Sequence, residues 1–182
     1  ARKIEDAGAD SLAIKDMAGL LRPFDAYELV KNLKSTLSIP IHMQTHATTG
    51  MSTATNMKAI EAGIDNIDTS ISSLSMTYGH TATETMLAIF ENQDRVINLD
   101  LSALEEVSIF FKEIRDKYSE YEGNLKGVDS SMLVKQVPGG MLSNLESQLR
   151  ANKQEDKIDL VKDEIPKVRK DFGYPPLVTP AS

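Results

Sequence analysis

Two parts of this sequence have residue types and spacing suited to chemistry. Lys15 closes the short run Ser11-Leu12-Ala13-Ile14, and His42, Gln44 and His46 alternate between Ile41 and Ala47. Alternate residues of a strand share one face, so the trio points to one side. His-x-His on a strand is a common metal-ligand spacing. Here Gln44 stands in the middle, so the available pairs are His42/Gln44 and Gln44/His46. Lys15 read by itself binds an anion, forms a Schiff base or is simply solvated. His46 is either a ligand or a hydrogen-bonded residue at a strand end. Asp16 and Asp68 fit loop caps as well as they fit acids.

The elements that must position these residues repeat one unit. Ile4 to Asp10 leads into Ser11 to Asp16, and Ile60 to Asp65 leads into Asn66 to Thr69. In both copies a helical stretch ends at a glycine suited to a left-handed C-terminal position, and a short strand follows. A third strand, Ile39 to His46, lies between them. Phe24, Tyr27, Leu29, Val30, Leu33 and Leu37 form a helical stripe between Pro23 and Ser38, and Met51 to Ala62 forms another. Strand–helix–strand alternation at this spacing predicts parallel strands with crossover helices, in a barrel rather than an open sheet. In such barrels the working residues sit where strands end. Lys15 and His46 close consecutive strands and are expected to lie about 5 Å apart in one mouth. His42 is about 6.6 Å behind Gln44 along the strand, deeper in the barrel.

The second half reads differently. Thr81 to Asn92 and Ser102 to Tyr121 are predicted helices. The longer one carries Leu104, Val107, Phe110, Phe111, Ile114 and Tyr118 on one face. Ser131 to Val137 reads as a strand closed by Pro138-Gly139-Gly140. Ser143-Asn144-Leu145-Glu146 fits a capping box that opens a helix. Glu155 to Lys170 is a charged amphipathic helix interrupted or started by Pro166. The end, from Gly173 to Pro180, is extended. Thr179 there reads as a turn residue before proline.

The chain has 182 residues, a net charge of −7 and no cysteine. The acidic balance, with no basic patch, argues against a nucleic-acid partner. The lack of cysteine excludes disulfides and thiolate metal sites, and a cytoplasmic, reducing setting is the default expectation. Apolar runs are too short to cross a bilayer. The sequence starts without Met inside a helical stretch and stops at Pro180-Ala181-Ser182, so a piece of a longer protein is expected.

Several motifs together resemble the biotin-dependent carboxyltransferases. They are Lys15-Asp16-Met17-Ala18-Gly19-Leu20-Leu21, His46-Ala47-Thr48-Thr49-Gly50-Met51, Lys58 to Asp65, and Ser75-Met76-Thr77-Tyr78-Gly79-His80. Gln136-Val137-Pro138-Gly139-Gly140-Met141 and Tyr174 to Pro180 continue the match. The nearest resemblance is to the oxaloacetate decarboxylase α subunit and the transcarboxylase large subunit, with pyruvate carboxylase more distant. The implied fold is α/β, the C-terminal part of a (β/α)8 TIM barrel plus the start of a helical funnel. Residues 1–140 would supply roughly the last four barrel strands, and 141–182 a helical extension.

The resemblance also implies a divalent metal (Zn, Mn or Co) held by an Asp, a carboxylated lysine and two histidines. The lysine falls on Lys15 and the second histidine on His46. The first histidine falls on Gln44, a departure, and the Asp lies upstream of residue 1. The site is then retained but altered, impaired, or a variant of no simple meaning. Thr179 is placed as proton carrier between enolate and biotin. The implied reaction moves carboxyl from oxaloacetate to biotin carried on a separate domain, releasing pyruvate. Transcarboxylase or pyruvate carboxylase chemistry is the alternative, as is an inactive fragment. Implied partners are the keto acid, a biotinyl domain, membrane decarboxylase subunits that would place the protein at the inner membrane in sodium-pumping members, and further copies of the chain.

Overall fold

The computed structural model describes residues 1–91, 93, 97–123, 125–135 and 139–175. A short helix α1 (Arg2–Asp6) leads into strand β1 (Leu12–Asp16), helix α2 (Pro23–Thr36), strand β2 (Ile41–Thr45), helix α3 (Ser52–Glu61) and strand β3 (Asn66–Ile67). The strands form one parallel sheet in the order β1-β2-β3. The expected glycines end α1 and α3 in left-handed conformation, Gly8 at φ 89° and Gly63 at φ 93°. Three strands are seen among the described residues where four were expected.

Burial alternates along β2 with a period of two. Ile41 and Met43 are fully buried against the helices, and Thr45 nearly so. His42 and Gln44 take the opposite face. The core gathers Ala26, Val30 and Leu37 of α2 and its end, Ile41 and Met43, Ala59 and Ile60 of α3, Ile64 and Met86. Burying a side chain such as Ile41 or Met43 contributes about 2 kcal/mol of apolar transfer. The stripe predicted on α2 is shifted. Ala26 and Val30 face the core, whereas Phe24 is 74% exposed. The Lys58 ammonium lies over its ring, 5.6 Å from the centroid.

Helix α4 (Thr83–Ile89) is shorter than predicted, and α5 (Leu101–Lys117) gives way to a 3-10 turn at Ser119–Tyr121. Asp100 caps α5 by accepting from the Ser102 N–H at 2.8 Å. No residue of α5 is buried, and Phe110, on the predicted apolar face, is 58% exposed. The Arg115 guanidinium anchors the helix. It donates to the Ser73 carbonyl at 2.7 Å and pairs with the Glu122 carboxylate, whose pKa it holds below the ordinary range.

The strand predicted over 131–137 is instead helix α6 (Met132–Lys135), and 136–138 lie outside the described residues. Asp129 starts this helix by accepting from both the N–H and the hydroxyl of Ser131. Only Met132 of the Met-Leu-Val run is buried, against Ala18, Met141 and Ile165, while Val134 is 81% exposed. A strand here would leave its backbone groups without a partner. Helix α7 (Gly139–Ala151) begins before Ser143, so the predicted capping box lies inside it. Helix α8 (Ile158–Asp171) runs through Pro166 without ending. Among the described residues no helix is long and apolar enough to cross a membrane.

One surface pair holds β2 to the sheet edge. Asp65 accepts both 2.8 Å bonds of Lys34 and also the Ile41 N–H at 2.8 Å. Lys34 above all, then the Ile41 bond, lowers the pKa of Asp65. A lowered carboxylate contributes stability above its unfolded pKa of about 3.9, and that contribution is lost as pH falls through the folded value. Because the pair is a third exposed, its contribution is discounted to about 1 kcal/mol. Asp65→Asn in the full-length protein is expected to lower the melting temperature by a few degrees at neutral pH. The difference from wild type should vanish in acid, and scanning calorimetry at both pH values checks it.

Candidate metal and carboxyl-transfer site

The site is assembled on the C-terminal ends of β1 and β2. Their register pairs Lys15 with Gln44 and Asp16 with Thr45. This corrects the expected pairing: Lys15 lies directly beside Gln44, and His46 follows two residues further along the same face. Lys15 is exposed, so the shielding from water expected for an amine that must lose its proton is not supplied by this chain's described residues. The side-chain oxygen of Gln44 is buried and has no hydrogen-bond partner.

Asp16 organises the mouth as a loop cap. Its carboxylate accepts the Leu20 N–H at 2.9 Å, the Leu21 N–H at 3.0 Å and the Thr45 hydroxyl at 2.8 Å. Its carbonyl accepts the His46 N–H at 3.0 Å. Gly19 crosses this turn at φ +65°, where a Cβ would run into the carbonyl oxygen of His46, so only glycine fits. The Thr49 hydroxyl bonds the Gly19 carbonyl and ties the two mouth loops together.

His46 is set up as a neutral nitrogen donor. Its Nδ1 lies 2.6 Å from the Tyr78 carbonyl. A carbonyl only accepts, so Nδ1 carries the hydrogen, and in the neutral ring Nε2 keeps its lone pair. Burial is the main cause that pushes the His46 pKa down, with the charges of His80 and Lys15 acting the same way. His42 is placed away from this group, its Nε2 3.2 Å from the Asn66 amide.

Sequence reasoning assigned no role to the segment after α5, which lies over the mouth. The Asp129 N–H bonds the Thr48 carbonyl at 2.8 Å. Val128 covers Gly50 closely enough that a Cβ there would meet it at 3.1 Å. The Tyr78 ring sits against Gly123, and its phenol is pushed up by burial first and by Glu146 and Asp129 next. The one readable signal for this segment was the Asp129-Ser130-Ser131 turn chemistry. Thr179 lies outside the described residues.

Three side chains here could contribute donors to a divalent cation. Gln44 offers an unpartnered oxygen, His46 a neutral nitrogen, and Lys15 stands beside Gln44 where a carbamate would add oxygens. Among the described residues no three His, Cys, Asp or Glu side chains cluster as a metal site by themselves. Lys15, Gln44 and His46 are candidate donors that share one face at the ends of β1 and β2. An apolar cavity of about 530 Å³ runs along β3 between Ile64, Met86, Phe90 and Leu99, and neither Lys15 nor His46 lines it.

Comparison with known proteins identifies the scaffold. Residues 1–110 match the family described as HMGL-like, and residues 132–182 match a conserved carboxylase domain. The chain is 48% identical to the methylmalonyl-CoA carboxyltransferase 5S subunit of Propionibacterium freudenreichii, over all of this chain and 36% of that protein. It is 47% identical to a subunit of the pyruvate carboxylase of Methanocaldococcus jannaschii, over all of this chain and 32% of that protein. The chain thus spans about a third of the curated relatives it matches. The carboxyl transferase domain of Rhizobium etli pyruvate carboxylase, solved with pyruvate and biocytin, superposes with a TM-score of 0.94 at 33% identity, over 99% of this chain and 30% of that one. The three parallel strands are thus part of a TIM-type barrel, followed by helices. The chain belongs to the HMGL-like family and, within it, to the carboxyltransferases of the pyruvate carboxylase and transcarboxylase type.

Proposed function

We propose that this chain is the carboxyltransferase part of an oxaloacetate decarboxylase α subunit, working with biotin carried on a separate domain. The observation that carries this reading is the register that sets Lys15 beside the unpartnered oxygen of Gln44, with the neutral His46 next on the same face. In this reading Lys15, Gln44 and His46 hold a divalent metal (Zn, Mn or Co), with Lys15 carboxylated. When bound, the metal supplies Lewis-acid stabilisation of charge on the keto-acid oxygen as the carbon–carbon bond breaks. The carboxyl leaves oxaloacetate for the biotin ureido nitrogen. The proton that nitrogen gives up passes through the Thr179 hydroxyl to the enolate carbon, and pyruvate departs. Residues 1–140 form the barrel part, and 141–182 open the helical extension. Membrane decarboxylase subunits and further copies of the chain are the partners proposed for the whole protein, which would sit in the cytoplasm or against the inner membrane through them.

A second reading is favoured by the 48% identity to a methylmalonyl-CoA carboxyltransferase subunit. It uses the same half-reaction in reverse, with carboxybiotin giving its carboxyl to pyruvate to form oxaloacetate. Full-length protein given oxaloacetate and biocytin should release pyruvate, read with a coupled dehydrogenase. Pyruvate formed without any coenzyme A ester supports the half-reaction both readings share, and sustained release of carbon dioxide with it supports the decarboxylase. A strict requirement for methylmalonyl-CoA as carboxyl donor supports the transcarboxylase, and no exchange with either overturns both.

Residue tests follow from the same assignment. Lys15→Ala is expected to abolish carboxyl transfer with an unchanged circular dichroism spectrum. Native mass spectrometry of the active wild type should find Lys15 carrying one carboxyl, and a free amine in active, metal-loaded enzyme would refute the carbamate. Thr179→Ala should slow carboxyl exchange about 10²- to 10⁴-fold, the usual cost of a lost acid–base group. Gln44→His replaces an oxygen donor with imidazole and should tighten Zn more than Mn. Isothermal titration of both ions tests this, and equal affinities in wild type and variant would show that Gln44 makes no contact with the metal.

A further inference from the structure

The loop that follows β3 is fastened to the end of β2 from both sides. The Tyr78 carbonyl takes the bond from His46 Nδ1 at 2.6 Å, and the Gly79 carbonyl takes the Ala47 N–H at 2.8 Å. In return, His80 reaches back, its Nδ1 3.0 Å from the Thr45 carbonyl. Carbonyl partners make both Nδ1 atoms hydrogen-bond donors. Their rings lie 4.6 Å apart between centroids, tilted by 46°.

Holding this loop in place is costly. Met76 and Thr77 both sit at positive φ, 62° and 48°. Side chains other than glycine avoid that region, a β-branched one most of all, at about 1–3 kcal/mol each. The turn closes through Met76 N–H to the His80 carbonyl and Gly79 N–H to the Met76 carbonyl, each 2.7 Å. At Gly79 a Cβ would stand 2.9 Å from the Leu74 carbonyl oxygen. Backbone conformations this unfavourable persist where surrounding contacts over-determine them, and such places cluster at functional sites. Here the contacts converge on the ring of His46.

We infer that His80 is a positioning residue. By lying against the His46 ring and bonding the Thr45 carbonyl, it locks the loop whose Tyr78 carbonyl fixes the tautomer and ring direction of His46. This rests on the reading of His46 as a metal ligand. The groups that orient a ligating histidine commonly matter about 10- to 100-fold in metal affinity. Gln44, in place of a second imidazole, makes the site lean harder on the orientation of its remaining histidine.

The test is Co(II) binding to full-length protein, followed by its visible absorption and by competition with a chelator. His80→Ala should weaken binding about 10- to 100-fold. His80→Asn, whose amide nitrogen stands where Nδ1 does, should recover part of the loss. The melting temperature of the metal-free protein should change little in either variant. His46→Ala is the control on the site itself. If His46→Ala loses Co(II) while His80→Ala binds like wild type, the positioning role is overturned and the metal site stands. If His46→Ala binds like wild type, both the site and the role fall. A loss in His80→Ala that Asn does not recover, matched by a fall in melting temperature, would show general destabilisation and overturn the proposal as well.

Discussion

The Asp16 carboxylate accepts two backbone N–H groups from the Leu20–Leu21 turn and the hydroxyl of Thr45 on the neighbouring strand. Its backbone carbonyl accepts the His46 N–H. Hydrogen bonds to an ionised acceptor are about twice as strong as neutral ones, and a partly buried carboxylate stripped of them would be expensive. The register of β1 against β2, the path of the loop after β1 and the starting position of His46 therefore share one anchor. Each other feature of the mouth presupposes it: Lys15 beside Gln44, Gly19 passing under the His46 carbonyl, and Thr49 bonded to Gly19.

Much of this was legible in the sequence where period and chain geometry decide the outcome. Alternation put His42, Gln44 and His46 on one face because the side-chain period of a strand is two. Gly8 and Gly63 marked helix ends because their backbone must turn left-handed there. Strand order followed from the helix between each pair. The exact neighbour of Lys15 was not legible, since a register offset of two residues leaves every side chain on its proper face and changes only who stands opposite whom. The role of Asp16 stayed ambiguous between acid and cap, because a cap is defined by the N–H groups that reach it and those come from a turn.

The failures in the second half have a common cause. Met132-Leu133-Val134 has strand-like composition, yet a strand requires an edge to pair with, and the Asp129 cap offers these residues a helical start instead. The capping-box pattern at Ser143 is satisfied in letters but sits inside a helix that already began at Gly139. Local patterns propose and the surrounding structure disposes, most of all where a segment has few buried neighbours. Helix α5 shows the converse. Of its predicted apolar face, Leu104, Phe111 and Ile114 are half-buried while Val107, Phe110 and Tyr118 stay exposed.

The atoms that fix the strand register belong to Asp16, Thr45 and the backbone, while the side chains at 15 and 44 stand on the open face of the ladder. Scaffold and chemistry are thus written in different residues. On the proposed assignment, the donor at position 44 could be exchanged with the barrel wall left intact. On that same assignment, a single substitution at position 44 would change which ion the mouth prefers at little risk to folding.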